Sequence, residues 1–247
     1  MKFKDNVAIV TGGTTGIGKA CCMRLKAEGA IVYNLDVADD GSLEIPFVKC
    51  DVRNYSEVQT AVNDIFEKEG KIDLLFANAG IHITGNIEET SIEAFENVLS
   101  VNLKGLFYTV KAVIPLMKDR NQGRIVLMGS DQSFIGKPRS SVYGLTKGAI
   151  GQFTKSTAID YAGYNIRVNC ICPGTIRTPL MLNAMDEFHR LTKIDRDEIY
   201  KSWESAQPLK KIAEPEEIAN VVCFLLSDES SFMTGALIAA DGGYTCQ

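Results

Sequence analysis

Short apolar runs alternate with longer amphipathic segments along most of this chain. The runs Val7–Thr11, Ile31–Asp36 and 74–78 are short and rich in β-branched or aromatic residues, which is typical of buried strands. Between them, residues 56–69 carry apolar side chains at the 3.6-residue period of a helix. The alternation predicts further helices at 18–29, 92–117, 141–161 and 215–227, and further strands at 48–51, 124–130, 167–172 and 236–240.

Strands separated by helices of this length predict βαβ units, in which helices cover both faces of a parallel sheet. We therefore expect an α/β fold: a doubly wound parallel sheet of the Rossmann type, in one domain spanning residues 1–247. Residues 179–207 interrupt the alternation with a long polar segment. One helical face of it carries Met181, Leu182, Met185 and Phe188. Since long insertions on such sheets commonly cover a binding site, we predict a small helical substrate lid here.

Composition and charge exclude several classes of partner. The 247 residues, of which 45% are hydrophobic and 23% charged, are enough to bury a core without disulfides or a metal. A net charge of −5 argues against a nucleic-acid partner, and no apolar run approaches the ~20 residues of a membrane span. The seven cysteines follow neither a disulfide nor a zinc spacing, and the chain starts without a signal-peptide pattern. We expect a soluble, cytoplasmic protein with no metal site.

The first predicted strand ends in a glycine-rich turn, Thr11-Gly12-Gly13-Thr14-Thr15-Gly16-Ile17-Gly18, and a helix follows. A turn of this kind lets the backbone approach a pyrophosphate at the positive end of a helix. The alternative is a tight turn that binds nothing. We expect the turn to contact a dinucleotide through Gly12, Thr14, Thr15, Gly16, Ile17 and Gly18.

An acidic residue, Asp36, ends the second predicted strand, 18 positions after Gly18. A carboxylate there can accept hydrogen bonds from both hydroxyls of an adenosine ribose and would repel a 2′-phosphate. No Arg or Lys adjoins it, so NAD is favoured over NADP as the cofactor. The alternative is that Asp36 is a solvated loop acid.

Tyr143 and Lys147 form a Tyr-x-x-x-Lys pair early in a predicted helix. Residues four apart share a helix face, so the phenol and the ammonium point into the same space. A free phenol has a pKa of about 10, and a nearby Lys charge favours its ionised form. Ser130 lies 13 residues earlier, at a strand end where a hydroxyl can hold a substrate oxygen, with Ser133 as the competing serine. The alternative is a half-buried tyrosine beside a surface lysine.

Together these motifs resemble those of the short-chain dehydrogenase/reductase family, over essentially the whole chain. The pair Asp51-Val52 resembles the one that packs on adenine, and residues 77–80 are similar to the family's Asn-Asn-Ala-Gly with Ala77 in the first position. Pro173-Gly174 resembles the start of the segment that closes over the nicotinamide and the phosphates. The resemblance implies further cofactor contacts from Asp51, Val52, Asn78, Ala79, Gly80, Tyr143, Lys147, Pro173, Gly174, Ile176 and Thr178.

The same resemblance implies hydride transfer between nicotinamide C4 and a secondary alcohol or ketone. Ser130 would position the substrate oxygen, and Tyr143 would act as general base in oxidation and general acid in reduction. Lys147 would hold the nicotinamide ribose and lower the tyrosine pKa. Asn102 matches the asparagine that kinks a helix and supports a water relay to the lysine. The family also implies a homotetramer.

The substrate is a small molecule that the sequence does not specify further. We expect His82, Gln132 and Ser140 to contact it, while Lys137 and Arg139 are either anion-binding residues or surface charges. Resemblances within the family point to cyclic-diol and to small hydroxy-acid dehydrogenases, and a sugar-like substrate also fits. One alternative is a 3-oxoacyl-carrier-protein reductase that uses NADPH. A hypothesis of another class is a regulatory subunit that binds NAD(H) without turnover.

Overall fold

Seven parallel strands form one sheet in this computed structural model, which describes all residues from 1 to 247. Their spatial order is β3-β2-β1-β4-β5-β6-β7. The strands are β1 (Val7–Thr11), β2 (Ile31–Asp36), β3 (Phe47–Lys49), β4 (Leu74–Ala77), β5 (Gly123–Met128), β6 (Ile166–Pro173) and β7 (Leu237–Ala240).

Helices cover both faces of the sheet, as the alternation predicts. They are α1 (Gly16–Ala27), α2 (Tyr55–Glu69), α3 (Ile92–Leu99), α4 (Leu106–Asp119), α5 (Ser141–Tyr161), α6 (Pro179–Thr192), α7 (Arg196–Ala206) and α8 (Pro215–Leu226). Two apolar cores result: α2, α4 and α5 pack on one face, and α1 and α8 on the other. Within β1, Val7 and Ile9 enter the first core and Ala8 and Val10 the second, since alternate side chains point to opposite faces. The doubly wound parallel sheet of Rossmann type is confirmed.

The strand order reverses between β1 and β4, which are neighbours in the sheet although β2 and β3 separate them in the chain. In sheets of this kind the loops leaving the two central strands diverge to opposite sides and open a crevice at their carboxyl ends. Thr11 and Ala77, the last residues of β1 and β4, are register partners at this point. The glycine-rich turn and residues 78–80 therefore start side by side.

One predicted helix differs from the structure. Instead of a single helix over 92–117, α3 and α4 are joined by a π-helical segment, Ser100–Gly105. Asn102 lies in that segment and turns its side-chain amide to the backbone of Ile81. Gly105 allows close packing there, because a Cβ at this position would lie 2.6 Å from a methyl group of Val52. Contacts with two distant loops therefore determine where the helix changes to a π-helix. The 3.6-residue period of the helix's own sequence does not predict this change.

The segment 179–207 folds into α6 and α7, which pack on each other. Thr178 caps α6 by accepting a hydrogen bond from the Met181 amide at 3.2 Å, and Pro179 occupies the first turn. Met181 and Met185 are buried, but Leu182 is 42% exposed, so the predicted apolar face is narrower than expected. None of the helices combines the length and the apolar character that a membrane crossing demands.

Candidate active site

A cleft of about 720 Å³ opens at the carboxyl ends of the strands. Ligand pockets commonly have volumes of about 300–1,000 Å³. The cleft brings together most of the residues that the sequence predicts for the site: Gly12, Thr15, Gly16, Ile17, Asp36, Asp51, Val52, Asn78, Ala79, Gly80, His82, Ser130, Gln132, Ser140, Tyr143, Lys147, Pro173, Gly174, Ile176 and Thr178. Three predicted residues, Thr14, Gly18 and Asn102, do not line it.

The glycines of the turn are required mainly by the protein's own packing. A Cβ on Gly18 would lie 2.1 Å from the carbonyl oxygen of Gly12, and one on Gly12 would lie 2.9 Å from the Cα of Ala79. Gly12 and Gly16 also adopt positive φ values of 65° and 53°, which favour glycine. Backbone atoms of the same chain therefore exclude larger side chains at Gly12 and Gly18, whether or not a ligand is bound.

Hydrogen bonds join this turn to the end of β4. The Thr11 hydroxyl accepts from the backbone amides of Asn78 and Ala79 at 3.0 and 3.1 Å. In return, the Asn78 side-chain amide donates to the carbonyl oxygens of Thr11 and Gly12. Asn78 thereby fixes the floor of the cleft with its side chain. The role of Thr11 was not predicted from the sequence, although its position as the polar residue at the end of an apolar strand is a signal for it.

Asp36 stands at the end of the cleft next to the turn. Its Oδ2 accepts a hydrogen bond from the Thr14 amide at 3.0 Å, and its Oδ1 accepts one from the Val37 amide at 2.7 Å. A carboxylate offers about four acceptor sites, so both oxygens can still accept from a ligand. Thr14 itself turns its hydroxyl to the carbonyl oxygen of Ala38 at 2.6 Å, which explains why this residue is absent from the cleft wall.

Two basic side chains near Asp36 are paired with other acids. Arg53 lines the cleft and binds the carboxylate of Asp51 with three hydrogen bonds of 2.6–3.0 Å. Lys19 forms an ion pair with Asp40 at 3.1 Å. Lys49, the register partner of Asp36 on β3, forms no ion pair but does not line the cleft.

Tyr143 and Lys147 share one face of α5, with the Lys147 Nζ 5.4 Å from the centre of the phenol ring. Lys147 is 3% exposed, and its burial lowers its pKa to about 8. Burial also raises the Tyr143 pKa, and the negative charge of Asp131 raises it further, whereas the Ser130 hydroxyl lowers it. Loss of solvent is thus the largest influence on the Tyr143 pKa in this structure, and a lowering of that pKa by Lys147 stays a prediction.

Ser130 and Asp131 form a polar pair at the end of β5. The Ser130 hydroxyl donates to Asp131 Oδ1 at 2.8 Å, and Asp131 Oδ2 accepts from Lys137 Nζ at 2.5 Å. The competing serine, Ser133, donates a hydrogen bond from its hydroxyl to the carbonyl oxygen of Lys147 and so joins the loop after β5 to α5. The effect of Asp131 on the Tyr143 pKa was not predicted from the sequence, because the burial of this acid depends on how the loop after β5 folds.

Asn102 connects three parts of the site without lining it. Its Oδ1 accepts from the Ile81 amide at 2.9 Å, and its Nδ2 donates to the Ile81 carbonyl oxygen at 3.0 Å and to Thr146 Oγ1 at 3.2 Å. Thr146 in turn donates to the carbonyl oxygen of Tyr143. Asn102 therefore holds the loop after β4 against α5, and its part in a proton relay stays a prediction.

The predicted substrate residues surround Tyr143. The His82 ring lies 4.6 Å from the Tyr143 ring, between centroids, and burial lowers the His82 pKa to about 4. Lys137 and Lys147 lower it as well, whereas Glu187 opposes them. Gln132 and Ser140 are 9% and 6% exposed.

The segment after β6 forms the opposite wall. The Gly174 amide donates to the Ala240 carbonyl oxygen at 3.1 Å, and a Cβ on Gly174 would lie 2.8 Å from the Cα of Asp241. Ile176 is buried and pairs with Ala213 across an isolated bridge. These contacts fix the residues that lead into α6.

A dinucleotide fits this arrangement. Thr15, the residue before α1, makes no side-chain hydrogen bond to the first turn, so the amides at that helix end remain available to a phosphate. The cleft then runs past Asp36 on one side and reaches Tyr143 and Lys147 on the other.

Comparisons with known proteins agree with this geometry. A family profile described as Enoyl-(Acyl carrier protein) reductase matches residues 12–245. The chain is 34% identical over 254 residues to meso-2,3-butanediol dehydrogenase of Serratia marcescens, with 99% of this chain and 96% of that protein covered. It is also similar to two solved structures. The ligand-free aldohexose dehydrogenase of Thermoplasma acidophilum has a TM-score of 0.93 at 36% identity, covering 99% and 96% of the two chains.

The second structure is a short chain dehydrogenase family protein of Francisella tularensis subsp. tularensis. It is 43% identical with a TM-score of 0.88, covering 98% of this chain and 99% of that one. The profile and these relatives each cover nearly the whole chain, and the fold and the cleft agree with them. The chain therefore belongs to the short-chain dehydrogenase/reductase family, as its motifs predict, and is an oxidoreductase of a family that binds nicotinamide cofactors.

Proposed function

We propose that the protein is an NAD-dependent dehydrogenase that interconverts a small secondary alcohol and its ketone. The observation that carries the proposal is the buried Lys147 beside Tyr143, with the Ser130 hydroxyl acting on the same phenol. Two relatives that act, by name, on 2,3-butanediol and on an aldohexose support a small hydroxylated substrate.

Each residue of this group has a part in the proposed mechanism. When bound, NAD accepts or supplies a hydride at the nicotinamide. The Ser130 hydroxyl orients the substrate oxygen, and the Tyr143 phenol gives it a proton in reduction or takes one in oxidation. Lys147 binds the ribose with its ammonium and favours the ionised phenol, while Asn102 supports the path by which the proton reaches solvent.

The raised pKa of Tyr143 favours the protonated phenol in the protein as described. A protonated phenol is the form that serves as general acid in ketone reduction. In oxidation the phenol must first lose its proton, and the Ser130 hydroxyl assists because it stabilises the phenolate. We therefore expect oxidation to be favoured by alkaline conditions.

Asp36 supports NAD as the cofactor. Its carboxylate can accept hydrogen bonds from the two ribose hydroxyls, and it would repel a 2′-phosphate. Two cations near this end of the cleft, Arg53 and Lys19, are paired with Asp51 and Asp40. A reductase of carrier-protein thioesters that uses NADPH is less favoured for this reason, even though the matching profile carries an enoyl-reductase description.

Two measurements test the proposal. Titrations of NADH and NADPH, followed by quenching of the single tryptophan, Trp203, should give clearly tighter binding of NADH. Tyr143→Phe should then lose nearly all turnover of a screened alcohol while it keeps its affinity for NADH. Tighter binding of NADPH would overturn the choice of cofactor. Binding without any turnover that depends on Tyr143 would instead support the regulatory-subunit alternative.

We further propose a homotetramer, a lid formed by α6 and α7, and a cytoplasmic location. Phe107 on α4 and Leu145 on α5 are half exposed, which supports burial of these helices against another subunit. All seven cysteines are free thiols, which supports a reducing compartment. Sedimentation at the 27.0 kDa of one chain would contradict the tetramer.

A further inference from the structure

Two polar side chains beside Tyr143 are buried without any hydrogen-bond partner. They are Gln132, through Oε1, and Ser140, through Oγ. Both residues line the cleft and are at least nine-tenths buried. A buried polar atom without a partner costs about 1–3 kcal/mol. Such atoms are rare in folded proteins, so two of them in one wall of a cleft indicate groups that a ligand is meant to satisfy.

Both atoms lie at the first turn of α5, the helix that carries Tyr143. Ser140 directly precedes this helix and does not use its hydroxyl to cap it. Gln132 Oε1 lies 3.1 Å from the position that a Cβ on Gly144 would occupy, next to Tyr143 in the chain. A third unpartnered atom, His82 Nδ1, belongs to the ring that packs against Tyr143. The lowered pKa of His82 keeps this ring neutral at pH 7.

Lys137 and Arg139, the cations on this side of the cleft, each form an ion pair, although the Arg139 Nε is buried without a partner of its own. Lys137 binds the buried carboxylate of Asp131 at 2.5 Å, and Arg139 binds Glu89 at 2.5 Å. Lys137 also lies 4.6 Å from the ring centre of Tyr244. A carboxylate or phosphate on the substrate would therefore lose its water here without gaining an unpaired positive charge, which is unfavourable.

Apolar side chains from α6 and α7 form another part of the cleft lining. Met181, Phe188 and Trp203 all line the cleft, with the Phe188 and Trp203 rings in edge-to-face contact at 6.2 Å. One wall thus offers hydrogen bonds and the other offers an apolar surface. A compact carbon skeleton with hydroxyl groups on one side matches both walls.

We propose that Gln132 and Ser140 bind a second hydroxyl group on a neutral substrate, next to the carbon that reacts, so that the substrate class is the vicinal diols, cyclic polyols and sugars. This inference rests on the proposed function, since it takes Tyr143 to mark the reacting oxygen. The second hydroxyl donates to Gln132 Oε1 and accepts from Ser140 Oγ. Small hydroxy acids are poor substrates, because Lys137 and Arg139, the cations on this side of the cleft, already form ion pairs with Asp131 and Glu89.

The first test compares three substrates that differ in one group. For the wild-type protein, kcat/KM for cis-1,2-cyclohexanediol should exceed that for cyclohexanol by about 10- to 100-fold, because the mono-alcohol leaves the polar atoms unpaired. The value for 3-hydroxybutyrate should be the lowest of the three. A hydroxy acid that is turned over best, or equal values for the diol and the mono-alcohol, would overturn the inference.

The second test removes the polar atoms one at a time. Gln132→Met and Ser140→Ala break no hydrogen bond within the chain, so both variants should fold, which circular dichroism and thermal melting will verify. Each should lower kcat/KM for the diol about 10-fold or more and change that for cyclohexanol less than 3-fold. Ser141→Ala, at the exposed neighbouring position, is the matched control and should change neither.

The outcomes separate this inference from the proposed function. Equal losses for both alcohols in the variants would overturn the second-hydroxyl site, whereas turnover that still depends on Tyr143 would leave the proposed function intact. If no alcohol is turned over, saturation-transfer NMR with the diol still tests the site. Diol binding that Gln132→Met and Ser140→Ala both abolish would support it, and unchanged or absent diol binding would contradict it.

Discussion

The ammonium of Lys147 donates a hydrogen bond to the carbonyl oxygen of Met128 at 2.8 Å. This contact joins α5 to the last residue of β5, so the lysine is held by the strand end from which the loop with Ser130 departs. Because the site is buried, the pKa of Lys147 falls to about 8, and neutral and charged forms both become accessible near physiological pH.

The first prediction concerns stability and pH. An unfolded lysine titrates near 10.5 and Lys147 in the folded protein near 8, so between these values the unfolded chain binds more protons. Raising the pH through this range therefore stabilises the wild type. Compared with Lys147→Met, the wild type should gain about 2 kcal/mol in free energy of unfolding between pH 7.5 and 10.

Urea denaturation of the two proteins at both pH values measures this gain. Other lysines titrate in both proteins, so their contributions cancel in the difference. Lys155→Met, at an exposed position further along α5, is the control and should show no such gain. A constant difference between the wild type and Lys147→Met would mean that Lys147 keeps an ordinary pKa.

The second prediction concerns the charge of Asp131, which raises the Tyr143 pKa. Asp131→Asn keeps an oxygen for the Ser130 hydroxyl but removes the charge, so the rising limb of kcat/KM for alcohol oxidation should move to lower pH by about one unit. Lys137→Met leaves Asp131 without its counter-ion and should move the limb to higher pH.

This prediction is tested by measuring kcat/KM for alcohol oxidation against pH for both variants. The rising limb should shift to lower pH in Asp131→Asn and to higher pH in Lys137→Met. Asp160→Asn, an exposed acid at the far end of α5, removes the same charge and should leave the profile in place. Shifts of equal sign, or none, would show that the ion pair of Asp131 and Lys137 does not act on the tyrosine.

Most of the fold was predictable because each strand carries a compact local signal. The runs of β1, β2 and β4 are mainly apolar, the glycine turn directly follows β1, and Asp36 is the last residue of β2. The π-helical segment around Asn102 was not predictable, since its cause is the backbone of Ile81. The burial of His82 also depends on a distant element, because the Tyr143 ring on α5 covers it.

The third prediction tests Asp36 as the residue that selects the cofactor. Asp36→Asn keeps a hydrogen-bond acceptor but loses the charge that would repel a 2′-phosphate. The ratio of NADPH to NADH affinity should rise about 10-fold or more, as measured by fluorescence titration. Asp39→Asn removes the same charge from an exposed position three residues later and should change the ratio less than 3-fold. An unchanged ratio in Asp36→Asn would mean that Asp36 does not face the ribose.

The fourth prediction concerns Gly18, where a Cβ would lie 2.1 Å from the carbonyl oxygen of Gly12. Gly18→Ala must displace the backbone of the turn, because no side-chain rotation relieves a contact between a Cβ and a main-chain oxygen. The free energy of unfolding should fall by about 2–3 kcal/mol, and NADH affinity should fall with it. Gly163→Ala is the matched control: it has no atom within 4 Å of the added methyl group and should leave stability unchanged or slightly higher. If Gly18→Ala were as stable as the wild type and bound NADH equally well, the turn would have space for a Cβ beside the Gly12 carbonyl oxygen. The glycine would then be needed for some reason other than its contact with Gly12.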